Sequence, residues 1–118
     1  MKKLITISLL KESRLEKKYE QIKAIYQNNS YLFKIDNIKT ILNKKNFTRE
    51  DNNYKFVLDI ENKQATYFLK ENNLLFDIDV EKVIYKEENN SIILEYKLAS
   101  NDEIIRVEII IIEGDLNE

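Results

Sequence analysis

Tyr54-Lys-Phe-Val-Leu-Asp-Ile60 alternates apolar and polar residues, and so do Leu74-Leu-Phe-Asp-Ile-Asp-Val80 and Ile92-Ile-Leu-Glu-Tyr-Lys-Leu98. Asparagine-rich breaks separate these stretches, at Asn72-Asn73 and at Asn89-Asn90. Successive side chains of an extended strand point to opposite faces of a sheet, so a period of two is typical of strands with one buried face. This part of the chain therefore predicts a β-meander.

Similar breaks divide the whole chain into short strands. There is no proline and the single glycine is Gly114, so no linker is visible and residues 1–118 are predicted to form one domain. The turns must then use Asn, Asp and Ser, which tolerate left-handed backbone conformations, as Asn28-Asn29, Asn52-Asn53 and Asn101-Asp102 would. The predicted strands lie at about 3–10, 19–27, 31–36, 38–42, 46–50, 54–60, 64–70, 74–80, 82–87, 92–98 and 103–112.

The segment after the first strand fits two patterns. Four apolar residues recur at helical spacing: Leu15, Tyr19, Ile22 and Tyr26. Ser13 and Glu16 also resemble a capping box, which indicates a short helix near residues 11–18. Alternation from Tyr19 onward favours a strand there instead, so helix and strand both remain open over residues 11–26.

The composition suits one compact sheet domain. The chain has 118 residues, of which 43% are hydrophobic and 34% are charged, so it is too apolar for a disordered chain. Unpaired strand edges promote aggregation, and closing the sheet removes them. We therefore predict an all-β, mainly antiparallel meander of eight to ten strands, closed into a barrel or a tightly curved sandwich.

The missing residue types argue against an enzyme. Without cysteine there is no disulfide, no thiolate metal site and no cysteine nucleophile, and without histidine the usual general base is lacking. No phosphate-binding loop or nucleophile elbow is present. The sequence predicts a non-catalytic protein without a metal or cofactor.

Charge and hydropathy argue against nucleic-acid and membrane partners. The formal net charge is -2, whereas phosphate binding usually requires a basic excess, and the basic residues of Lys11–Lys18 are interleaved with acids. The N-terminal Met1–Leu10 stretch has no cleavage site after it and is interpreted as a strand. The longest apolar run, Ile109–Ile112, is far shorter than the roughly 20 residues of a membrane span, so a cytoplasmic protein is predicted.

Four stretches of the C-terminal half carry a resemblance: Ala65-Thr-Tyr-Phe-Leu69, Leu74-Leu-Phe-Asp-Ile78, Ile92–Leu98 and Val107-Glu-Ile-Ile-Ile111. They resemble the YwiB-like family of uncharacterised bacterial proteins. Thr48-Arg49 stands where that family has an arginine after a short strand, although Glu50-Asp51 and Asn72-Asn73 stand where the family usually has glycine. The resemblance implies a calycin- or lipocalin-like β-barrel, and it implies no particular activity.

Three side chains are candidates for a ligand site. Alternation places Arg49 on the face of Phe47, so an inward face would bring its guanidinium to the barrel mouth, where it can hold a carboxylate or phosphate. Pairing with a nearby acid such as Glu50 is the alternative. Tyr67 and Tyr96 could line the same pocket or simply pack in the core. We expect a binding module for a small, partly apolar anion.

The last predicted strand indicates a second class of function. Ile104, Ile110 and Ile112 make its second face apolar, and a strand that is apolar on both faces is normally covered on both. A homodimer or another protein partner could cover this stripe, which predicts a self-association or protein-interaction module. Covering by the Leu4–Leu10 segment of the same chain is the alternative.

Overall fold

The chain folds into a closed, ten-stranded antiparallel β-barrel. A computed structural model describes residues 2–100 and 102–112. The strands are β1 (Lys2–Lys11), β2 (Arg14–Gln27), β3 (Ser30–Ile35), β4 (Ile38–Leu42), β5 (Asn46–Glu50), β6 (Tyr54–Asp59), β7 (Gln64–Leu69), β8 (Leu74–Glu88), β9 (Ser91–Leu98) and β10 (Ile105–Ile112). Each strand pairs with the next along the chain, and β1 pairs with β10 to close the ring. The all-β barrel prediction is confirmed.

The short helix predicted near residues 11–18 is wrong. Glu12 and Ser13 form a tight turn with φ angles of 49° and 64°, and β2 begins directly after it at Arg14. Both turn residues are left-handed, as in the turns that best match the twist of a hairpin. Pairing of the new strand with β1 therefore overrides the helical spacing of its apolar residues.

The two strands predicted at 74–80 and 82–87 are one continuous strand, β8. The register jumps from Val80 opposite Leu98 to Lys82 opposite Lys97, so Glu81 is an extra residue in the ladder. A bulge of this kind bends a strand without ending it. The predicted turns at 28–29 and 72–73 are present, with Asn28, Asn29 and Asn73 at positive φ, whereas Asn101 and Gly114 lie outside the described residues.

Inward side chains of the strands form the core. Seven of them are almost fully buried: Ile5, Ile7, Leu42, Leu58, Ile92, Leu94 and Ile109. Phe47, Phe56 and Tyr96 form a cluster inside the barrel, with ring centroids 6.1 to 6.4 Å apart. We call these three residues the aromatic plug, because their rings fill the barrel interior between neighbouring and opposite strands.

Two bulges bend β2. Its register with β1 jumps between Ile5 and Ile7 and again between Leu9 and Leu10, so β2 contributes one extra residue at each point. At the first bulge Gln21 has a φ of 55°, which is unusual for a residue other than glycine or asparagine. Bulges increase twist and turn a strand away from its neighbour.

As a result, β2 and β3 are paired over only three residues. Ile25–Gln27 pair with Ser30–Leu32, and the ladder stops there. Within the described residues, no strand pairs with the β3-facing edge of 14–24 or with the β2-facing edge of 33–35. We call this stretch the β2–β3 gap. The gap extends to the end of the barrel at which the turn between β1 and β2 lies. We call this end the mouth.

Candidate ligand-binding site

A cavity of about 330 Å³ opens at the mouth of the barrel. Its apolar wall comprises Ile7, Leu9, Phe33, Ile35, Ile38, Ile105 and Val107. Phe47 and Tyr96 of the aromatic plug also line it. Polar and charged side chains complete the lining: Lys11, Glu16, Lys17, Tyr19, Asp36, Thr40 and Arg49. A mostly apolar cavity with a few polar groups is the usual form of a small-ligand site.

Arg49 lines this cavity from β5. It lies on the inward face together with Phe47, and its register partners are Thr40 on β4 and Phe56 on β6. The Arg49 side chain is partly buried, and its guanidinium makes no hydrogen bond or ion pair with any residue in the described part of the chain. Its donors are therefore available to a ligand in the cavity.

The acids nearest to Arg49 in sequence have other partners. A carboxylate oxygen of Glu50 lies 2.8 Å from Nζ of Lys70, and this contact lowers the pKa of Glu50. Oδ1 of Asp51 accepts hydrogen bonds from the backbone N–H groups of Asn53 and Tyr54, at 2.7 and 3.0 Å. The alternative in which Arg49 pairs with Glu50 is thus wrong, because Lys70 occupies that carboxylate.

Tyr96 lies against the inner wall of the cavity. Its side chain is 7% exposed, and burial raises its pKa to about 12, although the positive charge of Arg49 opposes this shift. The Tyr96 hydroxyl makes no hydrogen bond to another described residue. At neutral pH this hydroxyl is protonated and can donate to a ligand acceptor.

Tyr67 does not line the cavity. Its ring stacks on Tyr54, with centroids 5.3 Å apart and an interplanar angle of 18°. The register places Phe56 between Arg49 and Tyr67, so the aromatic plug separates Tyr67 from the cavity. The structure therefore brings together two of the three predicted ligand-site residues, Arg49 and Tyr96.

Tyr19 and Asp36 are cavity residues that the sequence did not identify. The Tyr19 hydroxyl donates a 2.7 Å hydrogen bond to Oδ2 of Asp36, so the two side chains bridge the β2–β3 gap. This bond raises the pKa of Tyr19, and the nearby charge of Arg49 acts in the opposite direction. The signal in the sequence was weak, because placing Tyr19 requires the positions of two bulges.

The charged side chains in and beside the cavity balance, because Glu103 lies beside Lys11. Three cations, Lys11, Lys17 and Arg49, face two carboxylates, Glu16 and Asp36. Lys11 lies 3.8 Å from Glu103, and Asp36 accepts the bond from Tyr19. In the described residues, no group of three or more His, Cys, Asp or Glu is placed to hold a metal ion. Arg49 is the group in this cavity that can hold an anion, because it has no partner among the described residues.

The chain matches no protein-family model, and comparisons with curated proteins and with solved structures give no significant match. The resemblance to the YwiB-like family stays a prediction. In the described residues, no helix is long and apolar enough to cross a membrane. The function is therefore argued from the cavity itself.

Proposed function

We propose that this barrel binds a small, partly apolar anion in the mouth cavity. One observation carries the proposal: Arg49 lines a largely apolar cavity and has no partner in the described part of the chain, while Glu50 binds Lys70. Desolvating a charge without pairing it costs stability, so an unpaired arginine in such a place favours a functional role. Tyr96 supplies a second hydrogen bond to the ligand.

The geometry sets the ligand class. A planar guanidinium binds a carboxylate or phosphate through two parallel hydrogen bonds, and Arg49 offers that fork. The remaining wall is apolar, so the rest of the ligand is hydrocarbon or aromatic. A volume of about 330 Å³ corresponds to roughly eleven water molecules at about 30 Å³ each, which limits the ligand to a small molecule or a small part of a larger one.

Straight-chain carboxylates of increasing length, from butanoate to decanoate, test this proposal. We expect an intermediate chain length to raise the melting temperature most, and the alcohol of equal length to have little effect. Arg49→Gln should abolish the effect of the acid. Arg106→Gln is the matched control, because Arg106 lies on β10 outside the cavity and pairs with Glu108. Equal binding by wild type and Arg49→Gln would disprove the assignment.

A second candidate function is self-association through the outer face of β10. Ile110 and Ile112 are 53% and 40% exposed, and Ile104 is half-buried. The N-terminal segment does not cover them, because β1 lies beside β10 in the sheet and turns Ile5 and Ile7 inward. The exposure of Ile110 and Ile112 therefore favours a second copy over the intramolecular alternative.

A two-fold contact between two copies would bury these isoleucines. Sedimentation velocity of wild type and of Ile110→Lys tests this contact. We expect a wild-type dimer and a folded monomeric variant. A wild-type protein that is monomeric at every concentration would exclude this function.

A further inference from the structure

The β2–β3 gap leaves two strand edges without partners beside the cavity. The ladder between the two strands ends at Ile25 opposite Leu32, and the β2-facing edge of 33–35 has no partner strand among the described residues. The backbone C=O and N–H groups on such an edge can accept and donate the hydrogen bonds that a neighbouring strand would otherwise make. The gap therefore has the chemistry to take one extended segment of backbone.

The β3 side of the gap is level with Arg49 across the neighbouring strands of the sheet. Phe33 is opposite Thr40 in the β3–β4 ladder, and Thr40 is opposite Arg49 in the β4–β5 ladder. Two strand spacings, about 9.5 Å, separate β3 from β5. Phe33, Thr40 and Arg49 all line the cavity. A group that enters the cavity beside Phe33 therefore faces the guanidinium of Arg49.

We propose that the occupant of this site is the carboxy-terminal end of an extended peptide, which adds as a strand to the free edge of β3. This inference rests on the proposed function, since it assigns the anion bound by Arg49. A peptide that enters at the mouth with its carboxylate first runs antiparallel to β3. Its carboxylate then lies near Arg49, and its last side chain lies in the apolar part of the cavity.

Two features favour a peptide end over a free organic acid. The backbone N–H and C=O of Lys34 point to the β2 side, where the ladder has ended, and offer main-chain hydrogen bonds that a simple acid does not use. The cavity volume suits one apolar side chain with its carboxylate better than a long ligand. The Tyr19–Asp36 hydrogen bond bridges the gap in an exposed position and opens to water as the peptide enters.

Two synthetic libraries of degenerate hexapeptides, linked through their amino termini, test the proposal. One library carries free carboxy termini and the other carries carboxamides. We expect the protein to select sequences from the free-acid library that end in an apolar residue. For a selected peptide, amidation should weaken binding at least tenfold in calorimetry, and so should N-methylation of the backbone amide that faces β3.

Nuclear magnetic resonance then locates the peptide. We expect the largest amide shifts at 33–35, and Arg49→Gln should reduce affinity at least tenfold while Arg106→Gln leaves it unchanged. Equal affinity for acid and amide, or shifts confined to other strands, would overturn the inference. If octanoate binds through Arg49 and neither library yields a ligand, the peptide inference fails and the proposed function stands. If neither octanoate nor peptides bind, both fail.

Discussion

Removing the charge of Arg49 should make the unliganded protein more stable. The guanidinium is partly buried in the cavity and has no partner in the described chain, so folding removes some of its hydration without replacing it. A fully buried unpaired polar group costs about 1–3 kcal/mol, and partial exposure reduces that cost. We expect Arg49→Met to raise the free energy of unfolding by about 0.5–1.5 kcal/mol, because methionine keeps much of the apolar stem.

Arg106→Met is the matched comparison. Arg106 lies 3.3 Å from Glu108 and 4.0 Å from Glu95, so this substitution removes ion pairs from a side chain that is 37% exposed. Exposed pairs of this kind contribute about 0.2–1 kcal/mol, and we expect a loss of that size. The two arginine substitutions should therefore change stability in opposite directions.

Urea denaturation monitored by circular dichroism measures both effects. For a domain of this length, 1 kcal/mol corresponds to a melting-temperature change of about 3–6 °C. If Arg49→Met loses as much stability as Arg106→Met, contacts within the barrel hold the guanidinium. The argument that Arg49 is reserved for a ligand would then be refuted.

Three further predictions concern the barrel itself. Leu94→Ala should lower the free energy of unfolding by about 2–5 kcal/mol in urea, because Leu94 is fully buried; a loss below 1 kcal/mol would contradict the packed core. Gln21→Val should cost about 1–2 kcal/mol while Gln21→Gly is tolerated, because a β-branched residue opposes a φ of 55°; equal stability of the two variants would contradict the bulge. The Tyr96 pKa of about 12 exceeds the ordinary value of 10, so the folded state favours the protonated hydroxyl. The contribution of this group to the stability of the fold is complete below pH 10 and is lost as the pH rises towards 12. Tyr96→Phe should show a smaller alkaline loss of stability, and an unchanged profile would disprove this.

Alternation was sufficient to predict the β-meander and the face that Arg49 shares with Phe47. The period of two fixes which side chains share a face, so the common face of Phe47 and Arg49 followed directly from the sequence. It could not separate Tyr67 from the cavity, because Tyr67 also lies on an inward strand face. The ring of Phe56 separates Tyr67 from the cavity, and the position of this ring follows from three-dimensional packing.

The β2–β3 gap could not be predicted. It depends on the left-handed conformation of Gln21, and a glutamine gives no sign of that conformation in the way that glycine or asparagine does. The mixed charges of residues 11–18 also fit a helix and a hairpin equally well. Helical spacing was misleading there, because pairing with β1 fixed the conformation of that segment.

Closure by a single pairing of the first and last strands has a consequence for the order of folding. Among the strands of residues 2–100 and 102–112, nine pairings join consecutive strands, and the β1–β10 pairing alone joins distant parts of the sequence. Local hairpins form quickly, whereas a distant pairing must first overcome the entropy of closing a long loop. We expect an open, curled sheet to form before Ile7 meets Ile109. Contacts made after the rate-limiting step chiefly slow unfolding, so the β1–β10 pairing sets how long the closed barrel persists.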